Sequence, residues 1–430
     1  MDGVIGDVLF WTFASVSTLY VLHLGFYLVG ANLYDIWQFR RQHERRGRLE
    51  YELPRRPLVT VLIPAHNEEK VIERCLESIR HSTYRNIQVI AVNDASTDRT
   101  LAIMRRYRRR HPELNMIAAS TPRNVGKGGA LNYALKRFAK GELVMTVDAD
   151  SVITPHTIER AVGYFDDPLV AGVAANVRVI DESTILGTLQ KLEHMIGYRS
   201  KKVYTLLNCE FVIGGVASTY RMDVLREVGF YDTDVLTEDI GLSMKVISSS
   251  NKARRLVYAA DVEARTEGVR TYKALFKQRF RWKYGSLQVL VKYRHLIGRP
   301  RREFTSSLTI YRLPVAVVSE IVLLLTPLMW VYVAAISLAA RNPLLIIGAY
   351  CTITLYTLVT LWFDEHTKPR KRLTLSIDAF HAYFMFYIMD IVQFTGASRC
   401  IYRIKKLLTQ QSTGSVWVSP ERSGQQIADA

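Results

Sequence analysis

Long apolar runs constrain this chain more than any other feature. Residues 8–29, 313–340 and 344–363 are each almost wholly apolar. About 20 such residues suffice for a helix to cross a bilayer. Inside a bilayer every backbone group must be satisfied within its own helix. The chain therefore reads as a polar middle held between membrane helices. A further run, 377–394, is weaker because it carries Asp378, His381 and Asp390. Ionisable groups at membrane depth face a protein interior or a polar path; equally, Asp378 and Asp390 can mark helix ends. The run 8–29 is too long for a signal core and no charged region precedes it.

Charge gives these helices a direction. Lys and Arg number 57 and Asp and Glu 40, a net +17. So basic a chain calls for an anionic partner: nucleic acid, anionic lipid or a phosphorylated substrate. The basic stretches 40–56 and 368–372 flank apolar runs, which favours a membrane surface over nucleic acid. The stretch 105–110 reads instead as the solvated face of a helix. By the positive-inside rule, Arg40 and Arg41 keep the polar middle cytoplasmic. Three later crossings would then leave Arg399, Arg403, Lys405 and Lys406 outside, where they are disfavoured. Either 377–394 does not cross, or 399–408 is an outer amphipathic helix, or another segment crosses. Cys75, Cys209, Cys351 and Cys400 are far apart, without metal-ligand spacing, and read as reduced structural residues.

The middle alternates. Strand-like runs at 58–64, 87–92, 116–119 and 143–147 are separated by helical patterns at 69–81, 97–110 and 128–139. Such alternation predicts an α/β fold, a mostly parallel sheet with helices on both faces. Ligands of such sheets bind beyond the C-terminal strand ends. Pro64, Ala65, Asn67, Glu68, Asp94, Asp148 and Asp150 all fall there. Further on, 173–179 and 257–264 read as strands and 184–204 as a long helix. A basic amphipathic helix follows over 270–291.

Several groups at those ends carry chemistry. Asp148 and Asp150, one residue apart where a strand breaks, offer oxygen ligands for Mg2+ or Mn2+; alone, they could equally be a solvated acidic turn. Lys127 sits in a glycine-rich loop opening a helix, where it can approach a phosphate, though no Walker spacing is present. Glu238 and Asp239 begin a helix and either cap it or supply a base. Gln278, Arg281 and Trp282 fall on one side of their helix.

In this order, Pro64-Ala65-His66-Asn67-Glu68, Asn93-Asp94, Gly126-Lys127, Asp148-Ala149-Asp150, Thr237-Glu238-Asp239 and Gln278-Arg279-Phe280-Arg281-Trp282 resemble glycosyltransferase family 2. The likeness is to its membrane-embedded processive branch, the cellulose, hyaluronan, chitin and poly-N-acetylglucosamine synthases. It implies a GT-A-type domain over 57–268, after an N-terminal membrane helix (1–35) and a basic linker (36–56). Amphipathic interface helices (269–300), about three membrane helices (309–398) and a basic, then disordered tail (399–430) follow. The implied reaction is inverting transfer from a UDP-sugar, UDP-N-acetylglucosamine first among them, to a growing β-linked polysaccharide exported at the cell membrane. The implied alternative is single transfer to a ceramide- or diacylglycerol-type lipid; a dead, scaffold-like domain is a third. The resemblance assigns Asp239 as base. It places Pro64, Ala65, Asn67, Glu68, Asp94, Lys127 and Asp148 at the donor nucleotide. Asp150 and Asp148 take the metal, and Glu238, Gln278, Arg281 and Trp282 the acceptor and diphosphate. Here Asn93 stands where relatives often have a second acid, leaving one acceptor. The implied partners are the donor, a polysaccharide or lipid-linked acceptor and the bilayer, with room for an accessory membrane subunit and no nucleic acid.

Overall fold

The computed structural model describes residues 2–49, 56–180, 184–339, 341–364 and 367–409. Pro54 and the polar tail from Ser412 lie outside the described residues. Eight strands form one sheet: β1 Val59–Ala65, β2 Ile87–Asn93, β3 Met116–Ser120, β4 Leu143–Thr146, β5 Ser151–Ile153, β6 Val170–Val179, β7 Ser218–Arg221 and β8 Arg255–Thr266. Their order is β3-β2-β1-β4-β7-β6-β8-β5. The half built from β3, β2, β1 and β4 is parallel. Beyond it β7 runs antiparallel to both β4 and β6, and β5 antiparallel to β8. The sheet is thus mixed, with its parallel part where the sequence alternates.

Both central strands are buried along their whole length, as expected for parallel strands covered on both faces. Alternate residues serve opposite layers. Leu62, Ile90, Val92 and Val144 face one core, and Val61, Ile63, Val89 and Met145 the other. The second core is closed by α2 Ile72–Arg80, α3 Thr100–Arg110 and α5 Thr157–Tyr164; the first by α4 Gly126–Arg137, α7 Met222–Val228 and α8 Glu238–Ile247. In α2 the buried set Ile72, Cys75, Leu76 and Ile79 has the i, i+3, i+4, i+7 spacing of one helical face. The arginines of α3 are solvated as expected, and Arg106 and Arg110 pair with Glu73.

The remaining helices bind this domain to the apolar segments. They are α1 Asp2–Leu49, α6 Ile185–Leu206, α9 Tyr272–Lys292, α10 Leu313–Ala339, α11 Leu344–Trp362, α12 Pro369–Tyr402 and α13 Ile404–Leu408. Thr184 and Thr271 start α6 and α9 by accepting from the Gly187 and Ala274 amides. A π-helical turn, Ser307–Arg312, leads into α10. Among the described residues four helices are long and apolar enough to cross a membrane: Phe10–Glu44, Ser307–Ala339, Leu344–Trp362 and Pro369–Tyr402. The run 377–394 is part of one unbroken 34-residue helix. There Asp390 accepts from the Trp330 indole at 3.0 Å, so it has a protein partner and marks no helix end.

Helix α6 is the joint between the two parts. Tyr204 bonds Tyr27, Lys202 pairs with Asp35 at 2.5 Å, and Leu192 packs on Leu361, Leu375 and Ala379. Helix α9 is not a surface helix with all its cations in water. Arg279 is buried against Glu193 of α6 at 2.6 Å, and Lys283 against Glu320 of α10 at 2.8 Å. The four cysteines are free, three of them buried.

Candidate active site

The C-terminal ends of β1, β2 and β4 open onto one crevice. Pro64 and Ala65 end β1 beside Val92 and Asn93. Asn67 and Ala95 turn the chain there with left-handed backbones, φ 55° and 51°, which is strained for alanine. The Asn67 amide donates to Ser96 Oγ, and its side-chain oxygen accepts from the Thr97 amide. Glu68 is buried, and its carbonyl accepts from the Val71 and Ile72 amides at the start of α2.

Asp94 stands beneath the crevice rather than in it. Its carboxylate accepts from the Val125 and Gly126 amides and from Thr121 Oγ1, and it has no exposed surface. Those bonds anchor the N-terminus of α4, and with it Lys127. Asp94 thus positions the start of α4, because the loop's own amides, unpaired within the helix, reach its carboxylate.

Lys127 is the centre of the site. Its ammonium lies 2.7 Å from Asp148 Oδ1 and 3.1 Å from Glu238 Oε1. Burial pushes its pKa down, but Asp148, Glu238 and Asp239 more than offset this and hold it well above the usual lysine value. The neighbouring backbone must come close. A Cβ at Gly215 would stand 2.7 Å from the Lys127 nitrogen and 3.6 Å from Asp148. Glycine at 215 is therefore part of the site's walls.

Asp239 lies one residue past Glu238 in the first turn of α8. Loss of hydration and the charge of Glu238 push its carboxyl up to about 6, against the opposing pull of Lys127. It is half-buried and keeps a path to solvent. A carboxylate poised near neutrality is suited to take a proton.

Asp150 is 7% exposed and accepts from the Ser151 hydroxyl at 2.9 Å. Among the described residues no cluster of three or more His, Cys, Asp or Glu could hold a metal ion. Asp148 and Asp150 lie on one short turn after β4; with only two carboxylates, a hard cation there would have to complete its shell with ligand phosphate.

Helix α9 forms the floor beside α8. A Cβ at Gly285 would come within 2.5 Å of the Thr237 side chain and 2.8 Å of its backbone nitrogen. Trp282 lies one turn before that contact. Arg281 is exposed, and it is Arg279 whose guanidinium stacks over Trp282, 4.5 Å from the ring centroid. Gln278 Oε1 is buried without a hydrogen-bond partner. Sequence reasoning missed the contacts of Arg279, Lys283 and Gly285. A signal existed for the first two: cations four apart on a helix whose apolar stripe they interrupt.

Residues 60–229 match the family model of glycosyl transferase family 2. Over 285 residues, 65% of this chain, the sequence is 29% identical to the poly-beta-1,6-N-acetyl-D-glucosamine synthase of Staphylococcus aureus strain COL. It is 28% identical over 280 residues to the enzyme of the same name from Staphylococcus epidermidis. The chain spans 64% and 65% of the length of these two relatives. Among solved structures, the mannosyltransferase PcManGT from Pyrobaculum calidifontis, in complex with GDP-Man and Mn2+, superposes with a TM-score of 0.53. It is 20% identical, and the match covers 88% of this chain and 99% of that one. The two share a fold.

Proposed function

We propose, taking the glycosyl transferase family 2 domain of this chain as the premise, that the enzyme builds a β-linked polysaccharide at a membrane from a UDP-sugar. UDP-N-acetylglucosamine is the first choice of donor, given the two synthase relatives. The observation that carries this reading is the ion-paired cluster at the sheet's C-terminal edge. There Lys127 joins Asp148 to Glu238, and Glu238 adjoins Asp239.

The reaction displaces a nucleoside diphosphate from an anomeric carbon. Asp239 takes the proton of the acceptor hydroxyl as its oxygen bonds to that carbon from the face opposite the leaving group. The bond to the diphosphate oxygen breaks, and the configuration inverts. Lys127 then lies where negative charge develops on the diphosphate, a low-dielectric setting in which a fixed cation counts most. Asp148 and Asp150 would hold Mg2+ or Mn2+, which when bound supplies further positive charge to the same oxygens. Pro64, Ala65, Asn67 and Glu68 border the nucleoside. Trp282, held flat by Arg279, offers an apolar face for a sugar ring, and Gln278 a free acceptor for its hydroxyls. Arg281, being exposed, is assigned to the diphosphate only when the donor is in place. On this reading the polymer leaves along the membrane helices beside α9, and the basic flank at Arg40 and Arg41 supports a cytoplasmic site at the cell membrane.

The test is product size. Purified full chain is given labelled UDP-N-acetylglucosamine, UDP-glucose or UDP-glucuronic acid with magnesium or manganese. Long polymer is expected from the first. A single sugar on lipid would move the acceptor to the lipid class, and no transfer from any donor would sink the enzymatic reading.

A further inference from the structure

A second cleft lies on the opposite flank of α6 from the Glu193–Arg279 pair. Its walls are Lys191, Arg199 and Lys202 of α6, Arg178 at the end of β6, and Phe363 and Asp364 just past α11. Its cavity volume is about 40 Å3, and it opens to the surface. It shares no lining residue with the Lys127 cluster.

Four cations line it. Arg178 is paired with Asp364 at 2.8 Å and Lys202 with Asp35 at 2.5 Å. Arg199 has no salt bridge among the described residues. Its Nη2 donates only to neutral acceptors, the Leu28 carbonyl at 3.2 Å and Asn32 Oδ1 at 2.9 Å. Its Nε is buried with no partner, and the residue is 3% exposed. Lys191 is 7% exposed. Two cations at least nine-tenths buried, one of them with an unused donor, line a small cleft that is open at its mouth. Asp35 acts on Arg199 but is itself bonded to Lys202, so an anion in the cleft would give the Arg199 charge a direct partner. His194 adds no charge, since burial and the nearby Arg279 push it down to about 4.

Position selects among anions. Lys191 adjoins Leu192, which packs on the spans at Leu361, Leu375 and Ala379. Lys202 and Arg199 hold the span of α1. At the cleft Phe363 is exposed apolar surface just past the end of α11, directly after the exposed Trp362. A phosphate seated on Arg199 would therefore have acyl chains alongside apolar side chains. We propose that this cleft binds the phosphate head group of an anionic membrane lipid. Basic pockets where membrane helices meet a polar domain recognise such head groups, each cation adding about fivefold in affinity.

Full-length protein in detergent is offered phosphatidylglycerol and phosphatidylcholine in equal amounts, and retained lipid is counted by native mass spectrometry. Preferential retention of phosphatidylglycerol is expected. It should fall about fivefold in Arg199→Gln and in Lys191→Gln, and persist in Arg199→Lys. Donor hydrolysis, which uses none of these residues, should be unchanged in all three variants and serves as the folding check. Equal retention of the two lipids, or unchanged retention in both Gln variants, would overturn the site. Displacement of the lipid by an equal concentration of glycerol phosphate would assign the cleft to a soluble phosphoester and overturn the lipid.

Discussion

Replacing Gly285 by alanine perturbs the proposed base without touching it. The added Cβ meets the Thr237 side chain at 2.5 Å, whereas ordinary contact begins at 3.4 Å. The two helices must therefore part by about 0.9 Å (3.4 minus 2.5), since backbone nitrogen lies behind the side chain at 2.8 Å. Thr237 precedes Glu238 and Asp239 directly, so the first turn of α8 moves with it. Overpacking of this size costs about 1–3 kcal/mol. Alanine is favoured over glycine inside a helix by about 1 kcal/mol. The net loss of stability is thus small, about 0–2 kcal/mol. Catalysis is less forgiving, because a displacement near 1 Å can cost about a hundredfold in rate. The expected outcome of Gly285→Ala is near-normal melting with kcat for transfer down about a hundredfold. Gly197→Ala in α6 is the control, since nothing lies within 4 Å of its added Cβ. It should melt slightly higher and turn over normally. Wild-type kcat in Gly285→Ala would refute the claim that α9 sets the position of Asp239.

The carboxyl of Asp239, at about 6, must be ionised to act as base. The rate of transfer should therefore fall as pH drops through about 6, while Asp239→Asn abolishes transfer and keeps donor binding. Its raised value also favours the folded state only at low pH. That contribution is present below the unfolded value near 4 and lost as pH rises through 6. Asp239→Asn should accordingly melt higher than wild type at pH 7, with the difference closing at acid pH; a lower melting point at pH 7 contradicts the assignment. Chelation of divalent ions should stop transfer, and turnover that survives excess chelator removes Asp148 and Asp150 as metal ligands. Trp282→Ala should shorten the polymer more than it slows donor hydrolysis, whereas equal losses in both count against sugar stacking.

The parallel half of the sheet was legible because its strands announce themselves. They are short, β-branched and bounded by turns, and their helices carry a clean apolar stripe. That periodicity also put Asp148, Lys127 and Asp239 at strand or helix ends, which is where they lie. The other half, where β6 and β8 are parallel but β7 and β5 run against their neighbours, was harder. Strand β5 and helices α5 and α7 are too short for a period to develop, and nothing in Ser218–Arg221 tells which way that strand runs. Arg279 and Lys283 were misjudged for a physical reason. A cation on a helix normally belongs to water, and the carboxylates that bring these two inside stand 86 and 37 residues away. Asp94 illustrates the reverse. Its place at a strand end was evident, but only the folded loop shows that two amides bond its carboxylate.

The Lys283–Glu320 pair also imposes an order on biogenesis. Glu193, the partner of Arg279, has already been made when α9 emerges from the ribosome. Glu320 has not, since it lies within the next apolar helix. Until that helix is delivered to the bilayer, α9 cannot settle against the sheet without leaving an ammonium group in an apolar seam with no counter-ion. The platform beneath Thr237 is therefore finished only after membrane insertion of α10 has begun. Assembly of the proposed site is thereby tied to the placement of α10.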